Sequence, residues 1–301
     1  MTTRDLEGRC SLRSLAAEEP LAGTASTIRR WLLVTHDGPW GRDGLLDARL
    51  PRGLGRALRD VGSRSAARVL LIRRPGRTPM PDRVVCFAVD TRDRWIGRRE
   101  LERIDDAATL DPRARADFEP EPSPVLVVCT HGRRDPCCAE RGRPLAQALA
   151  AAAPTLAWES THVGGDRFAG NVVAFPDGIT YGRVAPDEAA GLAAALGEGR
   201  IAPIDRFRGR TRDPWDVQAA DGALRLALAL DGIDDLALRD RVMDGDSSTV
   251  TFSTPAGVHR VRLARVAGRP MRLTCHSARE EIPVRWVPVE IEPAGDPAER
   301  I

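Results

Sequence analysis

Three of the six cysteines fall within ten residues, in Cys129-Thr130-His131-Gly132-Arg133-Arg134-Asp135-Pro136-Cys137-Cys138. A second polar, glycine-rich stretch follows: Ser160-Thr161-His162-Val163-Gly164-Gly165-Asp166-Arg167-Phe168-Ala169-Gly170-Asn171. Thiolates beside an imidazole are the ligand chemistry of iron–sulfur clusters and of zinc. A [2Fe–2S] unit takes four protein ligands, two on each iron. Cys129 and Cys138, with eight residues between them, have the slack to curl round one edge of such a unit, while His162 and position 166 approach from the other stretch. Gly164 and Gly165 permit the sharp backbone path and close approach that a clamp of this kind needs.

For the two stretches to meet, they must cap neighbouring strands. Val125-Leu126-Val127-Val128 reads as a strand buried on both faces. A helix is predicted over 144–152, opened by Pro144, whose missing N–H costs nothing in a first turn. A second strand is predicted over 155–158. A right-handed β-α-β crossover sets the two strands parallel and side by side. Their carboxyl ends then open at one edge, where sites in α/β sheets form. Cys129 ends the first strand and His162 follows the second, so residues 33 positions apart in sequence are expected to be neighbours. Runs over 171–175 and 179–184 flank the turn Pro176-Asp177-Gly178, and a last helix runs from Pro186 to about residue 196. The order β-α-β-β-β-α is thioredoxin-like.

The rest of the chain fits around this unit. Residues 31–34, 68–72 and 83–89 read as strands and 45–61 as a helix, giving β-α-β-β over 1–115. A charged, proline-rich linker occupies 111–124. Leu33-Val34-Thr35-His36-Asp37-Gly38 echoes Val128-Cys129-Thr130-His131-Gly132 at an offset of 95 residues, which suggests a degenerate first copy without the cysteines and without a cluster. Residues 201–301, with a helix near 215–230 and strands around 249–252, 259–266 and 284–291, form a small α+β C-terminal extension. The expected fold is α/β: tandem thioredoxin-like segments over 1–115 and 124–200, followed by that extension.

Composition narrows the function. With 301 residues and 42% apolar content the chain has material for two domains of ordinary size, or for one large domain with an extension, and for a real core. All 45 basic residues are arginine, and with 43 acidic ones interleaved the net charge is only +2. That leaves no basic stripe for nucleic acid. No run approaches the roughly 18 apolar residues of a membrane span, and residues 1–7 lack the apolar core of a signal peptide. The expected compartment is the cytoplasm, where thiols stay reduced and clustered cysteines favour a metal or redox site over a disulfide.

The Cys-x8-Cys spacing of Cys129 and Cys138, the His162-Val163-Gly164-Gly165 segment and the following Phe168-Ala169-Gly170-Asn171 resemble the sucrase/ferredoxin-like family. The likeness is strong over 124–184, looser over 20–115, where Gly23-Thr24-Ala25 and Pro39-Trp40-Gly41 fit, and weak in the tail. It implies that the second segment is a thioredoxin-like ferredoxin domain with a [2Fe–2S] cluster. Fungal members hold theirs with two cysteines and two histidines, matched here by Cys129, Cys138 and, for the first histidine, His162. Where the second histidine belongs, this chain has Asp166. Asp166 as the fourth ligand, Cys137 in its place, or Asp166 merely orienting His162 all remain open. The implied function is one-electron transfer or redox sensing with an unidentified redox partner protein, as a carrier rather than as an enzyme with its own substrate. A metal-free thiol oxidoreductase and a structural zinc module are the alternatives. The first lacks a Cys-x-x-Cys, and phosphatase chemistry fails because Cys-x5-Arg from Cys129 lands on Asp135. His131 is expected to brace its loop, and Cys10, Cys86, His36 and the Cys275-His276 pair to have no cofactor role.

Overall fold

The computed structural model describes residues 8–77 and 83–295; residues 1–7, read above for a signal peptide, lie outside them. Helix α1 (Cys10–Ala16) leads into β1 (Arg30–Thr35), α2 (Leu54–Ser65), β2 (Ala67–Arg73), β3 (Val84–Asp90) and β4 (Trp95–Leu101). A two-residue strand β5 (Glu119–Pro120) precedes β6 (Val125–Cys129), α3 (Pro136–Ala152), β7 (Ala157–Ser160), β8 (Val172–Phe175), β9 (Ile179–Tyr181), α4 (Ala189–Gly197) and β10 (Phe207–Arg210). The chain continues through α5 (Trp215–Leu228), β11 (Ala237–Asp244), β12 (Ser247–Thr254), β13 (Gly257–Ala267) and β14 (Val284–Ala294).

Two helices start elsewhere than their sequence suggests. Helix α2 begins at Leu54 rather than near residue 45, after Pro51 and a left-handed Gly53 (φ 86°), and it buries Leu54, Leu58 and Val61 at helical spacing. Helix α3 begins at Pro136, eight residues before Pro144, which lies inside it. The cause is local. The Asp135 side chain accepts the Cys137 N–H, and Pro136 takes the first helical position.

Ten strands form one mixed sheet in the order β10-β9-β8-β6-β7-β2-β1-β3-β4-β5. In its first half β1 runs parallel to β2 and antiparallel to β3, which pairs antiparallel with β4. The second half repeats those directions, with β6 parallel to β7, antiparallel to β8, and β8 antiparallel to β9. The halves join where β2 and β7 pair antiparallel at Ile72↔Ser160 and Arg73↔Glu159. Beside that seam the Arg73 Nε donates to Glu159 at 2.6 Å.

The sheet folds over at this seam. β1 and β8 are four positions apart in it, roughly 19 Å if it were flat. Yet the rings of Trp31 and Phe175 meet edge to face at 5.3 Å between centroids. One shared core therefore takes Trp31, Leu33, Ile72 and Phe87 from the first half and Val127, Cys129, Trp158 and Phe175 from the second. On the opposite faces α2 covers Leu32, Val34 and Leu71, while α3 and α4 cover Leu126, Val128 and Ala174. Strands β1 and β6 are thus buried on both sides, which is why they read as unbroken apolar runs. Each side chain so enclosed contributes about 1.5–3 kcal/mol. The tail is a four-stranded sheet, β11-β12-β13-β14, whose Val250, Phe252, Val261 and Leu263 pack on Val217 and Leu224 of α5.

Candidate metal centre

Cys129 is the last residue of β6 and sits in register with Ser160, the last of β7. Helix α3 presses onto this strand end through Gly142, where a Cβ would lie 2.1 Å from the Cys129 carbonyl oxygen. Only glycine allows that approach, and it sets Cys138, one helical turn earlier, beside Cys129. From the β7 side, His162 Nδ1 lies 3.9 Å from the Cys129 sulfur and 2.9 Å from Asp166 Oδ1. The Cys138 thiol donates to that same carboxylate oxygen at 3.2 Å. The ligand atoms of Cys129, Cys138 and His162 all lie within 4.8 Å of one another. Three of the four groups are sealed off, and the His162 side chain alone among them reaches solvent, at 24% exposure.

The electrostatics follow from this crowding. The hydrogen bond from Cys138 holds the Cys129 thiol well below its ordinary pKa; burial opposes this and His162 supports it. Cys138 moves up, because the adjoining Cys129 thiolate favours its protonated form and because it is buried. Burial works to lower His162, but the hydrogen bonds to Asp166 and Cys129 outweigh it and raise the imidazole to about 9. Burial likewise works to raise Asp166, and the His162 contact keeps it below its usual range. A thiolate, a thiol, an imidazolium and a carboxylate thus share one buried space. A soft cation binding there would displace the thiol and imidazole protons and meet two thiolates, a carboxylate and a neutral imidazole.

The loop that carries His162 is braced from outside its own segment. Gly164 and Gly165 have φ of 103° and 80°, and a Cβ on them would lie 2.4 Å from Ser26 Oγ and 2.3 Å from Arg208 Nη2 respectively. The buried Arg208 of β10 donates to the Gly164 carbonyl at 3.2 Å and to Asn171 Oδ1 at 2.7 Å. Asn171 in turn donates to the Gly165 carbonyl at 2.8 Å. Arg68 and Ser26 both donate to the Val163 carbonyl, at 2.7 and 2.9 Å. The sequence singles out the two glycines and Asn171. It carries no local signal for Arg208, Arg68 or Ser26, which arrive from distant strands and loops.

Cys137 faces elsewhere. Its sulfur lies 3.7 Å from that of Cys10 and 3.4 Å from that of Cys275, so the structure groups it with two cysteines to which the sequence assigns no cofactor role. Cys275 lies in the segment between β13 and β14. Cys86 is buried against the α2 side of the sheet, and burial pushes its thiol up to about 12. His131 ties its loop to the first half through Nε2–H to the Gly41 carbonyl, 2.9 Å, with its ring edge-on to Trp40.

A family model described as sucrase/ferredoxin-like matches residues 21–209, well over half of the chain. The chain belongs to this family. The sucrase/ferredoxin-like match takes in the whole ten-stranded sheet except the final residue of β10, and it includes Cys129, Cys138, His162 and Asp166. A curated relative, altered inheritance of mitochondria protein 32 of Meyerozyma guilliermondii, is 33% identical over 95 residues, covering 28% of this chain and 34% of that protein. This sequence therefore spans about a third of that relative's length. Among solved structures, a cysteine-to-serine variant of the thioredoxin-like [2Fe–2S] ferredoxin from Aquifex aeolicus is similar at 24% identity and a TM-score of 0.24, over 27% of this chain and 94% of that one. At so low a score the mixed α/β fold of this sucrase/ferredoxin-like chain rests on its own strand pairings. Among the described residues no helix is long and apolar enough to cross a membrane.

Proposed function

We propose that this chain is an iron–sulfur protein of one-electron transfer, with a [2Fe–2S] cluster held by Cys129 and Cys138 on one side and by His162 and Asp166 on the other. One observation carries the reading: two thiols, an imidazole and a carboxylate from adjacent strand ends converge in one buried group. Two soft sulfur donors with one nitrogen and one oxygen form a donor set suited to iron. When bound, the cluster supplies a one-electron couple. The chain's own residues do the rest. Before a metal binds, Asp166 accepts from His162 Nδ1 and holds the ring toward the two thiols; that proton leaves when the nitrogen becomes a ligand. Arg208 and Asn171 hold the Gly164-Gly165 backbone against the strand ends. Val127, Val163 and Ile72, packed in the same cluster as Cys129 and Cys138, keep water out.

His162, the exposed donor, is the port at which an unidentified redox protein would dock, making this chain a carrier or sensor rather than a catalyst. The six cysteines are free, in keeping with a reducing compartment such as the cytoplasm. A second reading, one zinc-like ion held by Cys129, Cys138 and His162, is favoured by the 4.8 Å limit on the separations of those three donors, because ligands on opposite irons of a cluster stand farther apart. Anaerobic purification followed by iron, sulfide and zinc analysis and by electron paramagnetic resonance of the reduced protein decides. Stoichiometric iron and sulfide with a paramagnetic signal supports the cluster. Colourless zinc protein supports the second reading. Metal-free protein whose Cys129 and Cys138 react freely with thiol reagents sinks both.

A further inference from the structure

The first turn of α3 presents a second, separate group of donors. Cys10 opens α1, Cys137 lies in that turn, and Cys275 lies between β13 and β14. Their sulfurs make a nearly equilateral triangle: 3.7 Å for Cys10–Cys137, 3.4 Å for Cys137–Cys275 and 3.5 Å for Cys275–Cys10. A disulfide needs about 2.05 Å, and three cysteines cannot all pair among themselves. Ligands about 2.3 Å from a tetrahedral zinc stand roughly 3.8 Å apart, so the triangle has nearly the dimensions of one face of such a tetrahedron. Asp135, fully buried, supplies a fourth donor, with its two oxygens 3.7 and 3.6 Å from the Cys10 sulfur. All four ligand atoms lie within 4.8 Å of one another. The backbone N–H groups of Cys137 and Cys275 donate to the two Asp135 oxygens at 2.9 and 2.7 Å. They orient the carboxylate as hydrogen bonds orient metal-bound carboxylates generally.

We infer that Cys10, Cys137, Cys275 and Asp135 form a structural binding site for a single zinc ion. Four protein donors close the coordination shell, which is the mark of a structural rather than a catalytic zinc. The alternative, plain packing of thiols, gains little, because the sulfurs cluster with just one other buried apolar residue, Ala169. Yet this is where α1 and the segment over 268–283 are tied to α3, across 127, 138 and 265 positions of sequence. That segment has one isolated bridge, Met271↔Glu281, as its regular pairing among the described residues. An ion gripping three distant segments closes long loops in the folded state, and its binding free energy becomes folding free energy. Cys10 and Cys275 lie outside the family match over 21–209, so the site is built by fastening this chain's flanking segments onto the shared domain. It has no donor in common with the Cys129 group, and the two occupancies are separately measurable.

The test uses full-length protein handled anaerobically under reducing conditions and titrated with zinc, and in parallel with cobalt(II) as an optical probe. The background is Cys129→Ser/Cys138→Ser, which removes the other thiol pair. The expected result is one zinc per chain, with the intense visible absorption and thiolate charge transfer of tetrahedral cobalt. Adding Cys10→Ser or Cys275→Ala weakens binding at least about tenfold. Should Cys10→Ser fail to fold, Cys275→Ala, partly buried in a loop, and a thiol count on the background protein still decide: there zinc must protect three thiols from a thiol reagent. Absence of stoichiometric zinc in the background protein, binding undiminished by Cys275→Ala, or thiols that zinc leaves unprotected overturns the site.

Discussion

Neighbouring residues at the start of a helix point about 100° apart, and this gives Cys137 and Cys138 different surroundings. Cys138 turns toward Cys129 and Asp166, Cys137 toward Cys10 and Cys275. The spacing of cysteines in sequence brings Cys129 and His162 together, because strand ends obey the crossover rule. It says nothing of which adjacent cysteine faces which loop, since that depends on where the helix begins. Asp166 is the residue to change first. With the proposed cluster bound, Asp166→His would exchange a carboxylate for a neutral imidazole, so the reduction potential is expected to rise by on the order of 100 mV, read by redox titration monitored in the visible. An unchanged potential would place Asp166 beside the metal shell rather than in it.

At the scale of elements, the fit of α3 to the end of β6 positions the thiols. Gly142→Ala would drive a methyl into the Cys129 carbonyl, with an expected loss of about 2 kcal/mol or more in urea unfolding and a parallel fall in bound metal. Stability at the wild-type level would mean that the helix has room to slide. The signal for this helix is present in the sequence as Asp135-Pro136, a capping residue followed by the favoured first-position proline. A segment dense in Gly, Arg and Cys nonetheless reads as a loop, and Pro144 offers a second plausible start. The strands β1, β2, β3 and β6 are legible because burial on both faces leaves continuous apolar runs. Strand β10 is not, since Phe207-Arg208-Gly209-Arg210 is half cationic, its arginines being buried to hold the His162 loop and, through Arg210, the Ile233 carbonyl.

Over the whole molecule, stability should depend on pH through a carboxyl far from the thiols. Asp213, ahead of α5, is raised by burial from 3.8 to about 6; Arg212 and Arg210 pull it down and Asp221 pushes it up. A raised carboxyl favours the folded state while protonated, so its contribution is complete below pH 3.8 and is lost as pH rises through about 6. Asp213→Asn is therefore expected to gain about 1–2 kcal/mol over the wild type between pH 4 and 7, seen as diverging urea midpoints; parallel midpoints would refute it. The two halves of the sheet bear on stability in another way. Trp31 rests on Phe175, and Phe87 rests on Trp158. A peptide ending near residue 122 and a peptide beginning there would each present half of that aromatic interior to water. Co-produced, the two pieces should find one another and restore a single cooperative melt, and made apart, each should precipitate.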